Sequence, residues 1–452
     1  MAQVKPIIIM TSTPVMAHFK SLLPISTYLV KNGYKVHITT GAGLREDSEW
    51  TGATFHPYPQ EIADPATLLK EVEGAPKGTP QRVNYDLQQF FIGPIPKQYQ
   101  TLQDVCEDIT TSENYKGEPI VVMNETGSWA MAPFLLGAPW RGVTPSAVIT
   151  IGSIAVSCSD PDLAPFNAGL PPAKTDEDRA KYAAMTKHMW SSSDFFGGAQ
   201  ALYDQTLKSL GATKETPDLL DTVKLSDRYL QCSLEEQEYK RADPPKGLHY
   251  IGWPELKGRK VPPLPSFWDE ILEVSKNKSK KIVFACQGTV QWNDMNDLIV
   301  PTIKGLADRD DILLIASLGA PHQRLPEDLE IPPNTRVCNY IPFEDLLPHI
   351  DVFVNSGGFG STQQSLYYGV PLILVGIGED KPENNARTEW TGAAINLNCQ
   401  TAQPDAVREA VTKILEDESY SRRAKHLSAQ YHKLNPLELV EQHIQDVLNR
   451  RN

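Results

Sequence analysis

Three groups of residues in this chain have the types and spacing to do chemistry. His18 follows an apolar run, residues 6–10, through the turn TSTPVMAH, so it stands where a strand has ended and a helix begins. A neutral imidazole there can accept a proton, and a helix N-terminus would lower its pKa and keep it neutral. Glu125, with Asn124 beside it, ends a second apolar run over 120–123 and is the one acid at that strand end. A carboxylate so placed can orient a histidine and stabilise its charged form through the far ring nitrogen. The spacing leaves both Asn124 and Glu125 open as that partner. The third group is glycine-rich: Gly357, Gly358 and Gly360, then Ser361, between the apolar runs 352–354 and 372–375. Such a turn gathers bare backbone N–H groups at a helix N-terminus, where the helix dipole favours a phosphate. A second turn of this kind, Gly288 and Thr289, follows the apolar run 282–285. Each group also has a plainer reading: a capping histidine, a solvated loop acid, a tight strand-to-helix turn.

The elements that position these groups are legible in outline. The spacing predicts a strand over 6–10, a helix over about 19–32 stopped by Gly33, and a strand over 36–40. This βαβ opening predicts a doubly wound parallel sheet, whose strand C-termini form the edge where ligands bind. Helical patterns recur around 64–73 and 97–110. The strand–helix alternation resumes after 281, so the fold class expected is α/β with two Rossmann-like parallel sheets facing a cleft. The stretch 241–265 is rich in proline and reads as an interdomain linker. The expected division is 1–240 for the first domain, 241–265 for the linker, 266–435 for the second domain and 436–452 for a last helix. Aromatic and methionine residues crowd 140–235 (Trp140, Phe166, Tyr182, Met185, Met189, Trp190, Phe195, Phe196) and either line an apolar pocket or form core.

Composition excludes several function classes. The 452 residues are 40% hydrophobic and 22% charged, ordinary for a globular protein, and the net charge of −13 argues against nucleic acid or an anionic membrane surface as main partner. Any anion must be held by a local site. The six cysteines form no CxxC pair, which suits a reduced, cytoplasmic compartment. No apolar run approaches the ~20 residues of a membrane span, and the run at 7–10 is too short for a signal segment. Two Asp-x-Asp spacings, Asp160/Asp162 and Asp308/Asp310, read as solvated rather than metal-binding.

At this point the chain resembles a family 1 glycosyltransferase of the two-domain GT-B type, which uses nucleotide-activated sugars. Residues 340–397 are similar to that family's donor-binding signature. Tyr340, Ile341, Pro342 and Phe343 stand at its opening, where the family has a tryptophan stacked on uracil. Gly357, Gly358, Gly360 and Ser361 resemble its phosphate loop. Asp380 and Lys381 stand where plant members have an acid and a glutamine that contact the sugar hydroxyls. Ala17-His18, with Gly33 beyond, resembles the N-terminal histidine motif, and the wording GEDKPENNAR looks closer to fungal and bacterial members. The chain departs from the pattern in four places. Ser356 replaces a phosphate-contacting histidine, Gln364 a ribose-contacting glutamate and Lys381 the glutamine, and no aspartate aligns as partner of His18.

The resemblance implies an inverting transfer of a sugar, glucose being the commonest, from a UDP-sugar to a hydroxyl of a small lipophilic acceptor such as a phenolic, polyketide or terpenoid. It implies His18 as general base, acceptor bound in the first domain and donor in the second. It implies no metal or other cofactor, no stable membrane insertion, a monomer or weak dimer, and a last helix that crosses back onto the first domain. Two other readings stay open from sequence: a nucleotide-sugar-binding protein without catalysis, and another GT-B enzyme such as a lipid glycosyltransferase or UDP-sugar epimerase.

Overall fold

The computed structural model describes residues 5–60, 62, 72–76, 79–193, 195–259, 262–288, 294–320 and 323–450. The helical pattern expected from residue 64 falls largely on 63–71, outside the described residues, and so does Thr289. The first sheet contains β1 (Ile7–Thr11), β2 (Val36–Thr40), β3 (Thr54–Pro57), β4 (Ile120–Glu125), β5 (Ala147–Gly152), β6 (Arg228–Gln231) and β7 (Leu248–Tyr250), in the order β3-β2-β1-β4-β5-β6-β7. The second contains β8 (Lys281–Cys286), β9 (Ile312–Ser317), β10 (Thr335–Cys338), β11 (Val352–Asn355), β12 (Leu372–Leu374) and β13 (Ala394–Asn396), in the order β10-β9-β8-β11-β12-β13. All pairings are parallel. Helices cover both faces of such sheets, so central strands read as unbroken apolar runs; β1, IIIMT, is buried at every position.

Each sheet reverses its direction of growth once. In the first the reversal falls between β1 and β4, which pair as Met10↔Met123 and Thr11↔Asn124. In the second it falls between β8 and β11, paired as Asn355↔Cys286. Crevices at such points, beyond the strand C-termini, are where open α/β sheets bind ligands. His18 and Glu125 follow β1 and β4; Gly288 and Ser356 follow β8 and β11.

Two sequence expectations shift. Leu248–Tyr250, inside the expected linker, is the edge strand of the first sheet, paired with β6 as Leu230↔His249. Proline density on both sides of it masked a strand of three residues. The expected helix over 19–32 is two: Met16–Phe19 and Leu22–Lys31, with Pro24 in the first turn of the second, where it is tolerated. The last helix, Pro436–Asn449, returns to the first sheet's side. There Glu441 accepts hydrogen bonds from Tyr28 (2.9 Å) and Tyr34 (2.8 Å), and one apolar cluster joins Leu29 to Val440 and Ile444.

Candidate active site

His18 is the third residue of the one-turn helix Met16–Phe19. Its Nδ1 lies 2.7 Å from Glu125 Oε1. A carboxylate oxygen accepts, so Nδ1 carries the proton and Nε2 is left as the free acceptor. Glu125 is fully buried at the end of β4, and its Oε1 also receives the Gly127 amide (2.8 Å) and the Ser153 hydroxyl. Successive strand residues face opposite sides of a sheet. That alternation decides between the two candidates: Asn124 turns away and donates to Thr150 Oγ1 at 3.1 Å, on the neighbouring strand. Asn124 is therefore corrected as a partner of His18.

The pKa of His18 is likewise corrected in direction. Burial lowers it, but the charge and hydrogen bond of Glu125 and the charge of Asp380 together outweigh burial and leave it raised. The helix that carries His18 is a single turn of four residues, too short for a dipole that could lower it. Glu125 is held low despite burial, which pushes it up, because His18, Ser153 and Gly127 all stabilise its charge.

Sequence reading missed the residues that fix the imidazole. Gly127 packs against it so closely that a Cβ there would lie 3.0 Å from the ring. Phe91 meets His18 edge to face at 5.8 Å, Trp129 meets Phe91 at 5.8 Å, and Tyr203 follows at 6.4 Å. This aromatic wall comes mainly from outside the crowded 140–235 segment. Within that segment Tyr182, Met189 and Phe196 are buried core. The Phe90-Phe91 pair was visible, but the π-helical turn Leu87–Ile92 that aims it has no sequence signal.

Across the cleft, β11 ends in the fully buried Asn355. Its amide donates to Cys286 O (3.1 Å), while its Oδ1 accepts from Gly357 N (2.8 Å) and Ser361 Oγ (3.0 Å). Asn384 donates to Gly357 O (2.6 Å) and Asn385 to Gly376 O (3.1 Å). Gly357 has φ +84°, and a Cβ there would fall 1.9 Å from Asn385 Oδ1, so only glycine fits. Gly358 caps the helix Phe359–Tyr367, and Gly360 lies within reach of Trp253. The amides of 359–361 have no acceptor among the described residues, and together with the dipole of this helix they can receive an anion.

The predicted donor-side residues divide sharply. Ser356 donates to Gln287 O at 2.9 Å, so its one proton is already engaged. Ser361 is turned inward on Asn355 and Gly358, and the Gln364 amide donates to Gly360 O at 3.1 Å. Ile341 is buried, and Phe343 packs edge to face on Phe284 and Phe353. Tyr340 is partly buried, and Gly288 has φ +90° with no atom of the described residues within 4 Å of where a Cβ would be. Asp380 precedes the helix Lys381–Trp390 and has its pKa raised, by burial first and then Glu379, with Lys381 and His18 opposing. Its charge acts on His18 across the cleft. Lys381 forms an ion pair with Glu379, which holds φ +52°.

Asp160, expected to be solvated, is buried; its carboxylate accepts from the amides of Asp162 (2.9 Å), Ala242 (3.2 Å) and Asp243 (2.9 Å). It shapes a loop. Asp308 is exposed and paired with Arg408.

Two Rossmann-like sheets whose switch points face one cleft, with a histidine–carboxylate pair on one side and a glycine loop on the other, define a GT-B glycosyltransferase. Solved structures bear out the architecture. The glycosyltransferase of kitacinnamycin superposes with a TM-score of 0.71 at 20% identity, covering 98% of this chain and 100% of that one. Glycosyltransferase VinC in complex with dTDP gives 0.65 at 17% identity, covering 98% and 99%. Residues 303–445 match the family described as erythromycin biosynthesis protein CIII-like, C-terminal domain. UDP-glycosyltransferase 2 of Phaeomoniella chlamydospora is 36% identical over 98% of this chain and 96% of its own length. A UDP-glucosyltransferase of Aspergillus versicolor is 32% identical over 97% and 96%. The chain belongs to the family 1 UDP-glycosyltransferases.

Proposed function

We propose that the protein transfers glucose from UDP-glucose to a hydroxyl of a small lipophilic acceptor, with inversion at the anomeric carbon and His18 as general base. The observation that carries this reading is the His18–Glu125 pair, whose imidazole feels the charge of Asp380 from the half that carries the 357–361 loop. In the step, the acceptor oxygen attacks C1 as its proton passes to Nε2. The bond from C1 to the phosphate oxygen breaks, and its electron pair leaves with UDP. The carboxylate of Glu125 stabilises the imidazolium that forms. The amides of 359–361 and the helix dipole stabilise the leaving diphosphate by preorganised electrostatics, and the step needs no metal.

Three features support the choice of substrates. Lys381 is neutralised by Glu379 beside the acid Asp380, an arrangement that suits a neutral hexose better than a sugar acid. Several relatives carry the name UDP-glucosyltransferase. The apolar wall of Phe91 and Trp129 beside His18 suits a lipophilic acceptor. The test is a panel of UDP-sugars against phenolic, polyketide and terpenoid alcohols, read by mass. Glycosides formed with UDP-glucose are expected, and transfer confined to another sugar or to water contradicts the reading.

A further inference from the structure

The helix Lys381–Trp390 carries the donor-side acid at its N-terminus and belongs by sequence to the second sheet, yet its buried side is bound to the first half. Arg387 is the centre of that contact. Its Nε donates to Glu238 Oε2 at 2.8 Å, its Nη1 pairs with Glu383, its Nη2 approaches Val156 O at 3.4 Å, and the guanidinium lies 4.7 Å over the Tyr239 ring. The Arg387 and Glu238 side chains are only 6% and 4% exposed. Both acids are fully bonded: Glu238 Oε1 accepts from Val156 N (3.0 Å) and Glu383 Oε1 from Gly169 N (2.8 Å). Gly169, with φ +59°, lets its loop come so close to this helix that a Cβ would stand 3.0 Å from Pro382 O.

Val156, Gly169, Glu238 and Tyr239 all belong to the first half; Pro382, Glu383 and Arg387 lie within two turns of Asp380. A helix needs only its own sheet to fold. This one has in addition a planar cation that gives one hydrogen bond to each of two buried acids, Glu238 from the first half and Glu383 from its own helix, an arrangement whose worth lies in fixed geometry more than in net stability.

We propose that Arg387 is a positioning residue. It pins the Asp380 end of this helix to the half that carries His18, so that the donor's sugar and the base share one rigid frame. The inference rests on the functional reading above. UDP itself is held elsewhere, by the 357–361 loop, so loosening the pin leaves nucleotide binding intact and misplaces the sugar. Misplacement by about 1 Å is enough to cost on the order of 10²-fold in rate.

Two variants of the full chain test this from opposite sides. Glu238→Gln keeps shape and one hydrogen bond but removes a charge, and Gly169→Ala pushes the loop off Pro382. Each is expected to lower kcat at least ~10-fold, to leave the UDP dissociation constant unchanged by calorimetry, and to raise the share of UDP released without glycoside. Wild-type kcat in both variants overturns the inference, as does a kcat that falls only in step with UDP binding and melting temperature. The parent protein is the control: if it transfers no sugar, the functional reading falls and this inference with it. An active parent with unaltered variants removes the inference alone.

Discussion

Glu125 Oε1 receives three donors while Oε2 receives none among the described residues, so the carboxylate is fixed by the same oxygen that orients His18. The imidazole serves as a base only when neutral. Its pKa is raised above 6.5, so the base form is lost as pH falls through a value above that one. Glu125→Gln removes the charge that raises it and is expected to move the acidic limb of the kcat/KM profile to lower pH, with at least ~10-fold loss of rate on the plateau. An unmoved limb would remove Glu125 from its role. Asn124→Ala should change the rate less than about threefold, because its side-chain amide bonds Thr150 on the neighbouring strand and not His18. Sequence alone reached these two positions but could not choose between them, since the choice depends on which face of β4 each residue occupies.

At the scale of elements, the strand–glycine–helix pattern of the donor loop was legible because turn glycine and helix spacing are local signals. What holds the loop was not. Asn355, Asn384 and Asn385 come from a strand end and from a helix thirty residues on, and their side-chain hydrogen bonds with Gly357 and Gly376 exist only once β11 and the helix Lys381–Trp390 are packed. The same folding turned Ser356, Ser361 and Gln364 inward, although their types suggest ligand contacts. Gly357→Ala would strain φ +84° and drive a Cβ into Asn385. A left-handed residue costs about 1–2 kcal/mol on its own, so UDP should bind at least ~10-fold more weakly by calorimetry, with the pH profile of His18 unaltered. Full-strength UDP binding would show that this turn is not the phosphate site.

Over the whole molecule, the sequence repeats one topology twice, and the two switch points define the cleft. The last helix ties the halves, and its docking carries a pH signature. The His443 and His249 rings lie tilted against each other with centroids 4.3 Å apart, and the pKa of His443 is lowered to about 4 by burial, then by His249 and Arg228. A histidine depressed in the folded state contributes stability above its unfolded pKa of 6.5 and loses it as pH falls through about 4, because the unfolded chain takes the proton first. Melting temperature should therefore fall with pH across that window, less steeply for His443→Gln; equal slopes would contradict the assignment. The division of labour between the halves is the central claim: the first supplies the base and the second holds the nucleotide. Its most direct test is His18→Ala, with turnover of UDP-glucose and the UDP dissociation constant measured on the same preparation. The account predicts a turnover loss of at least ~10²-fold with UDP affinity unchanged, and turnover equal to the parent's would contradict it.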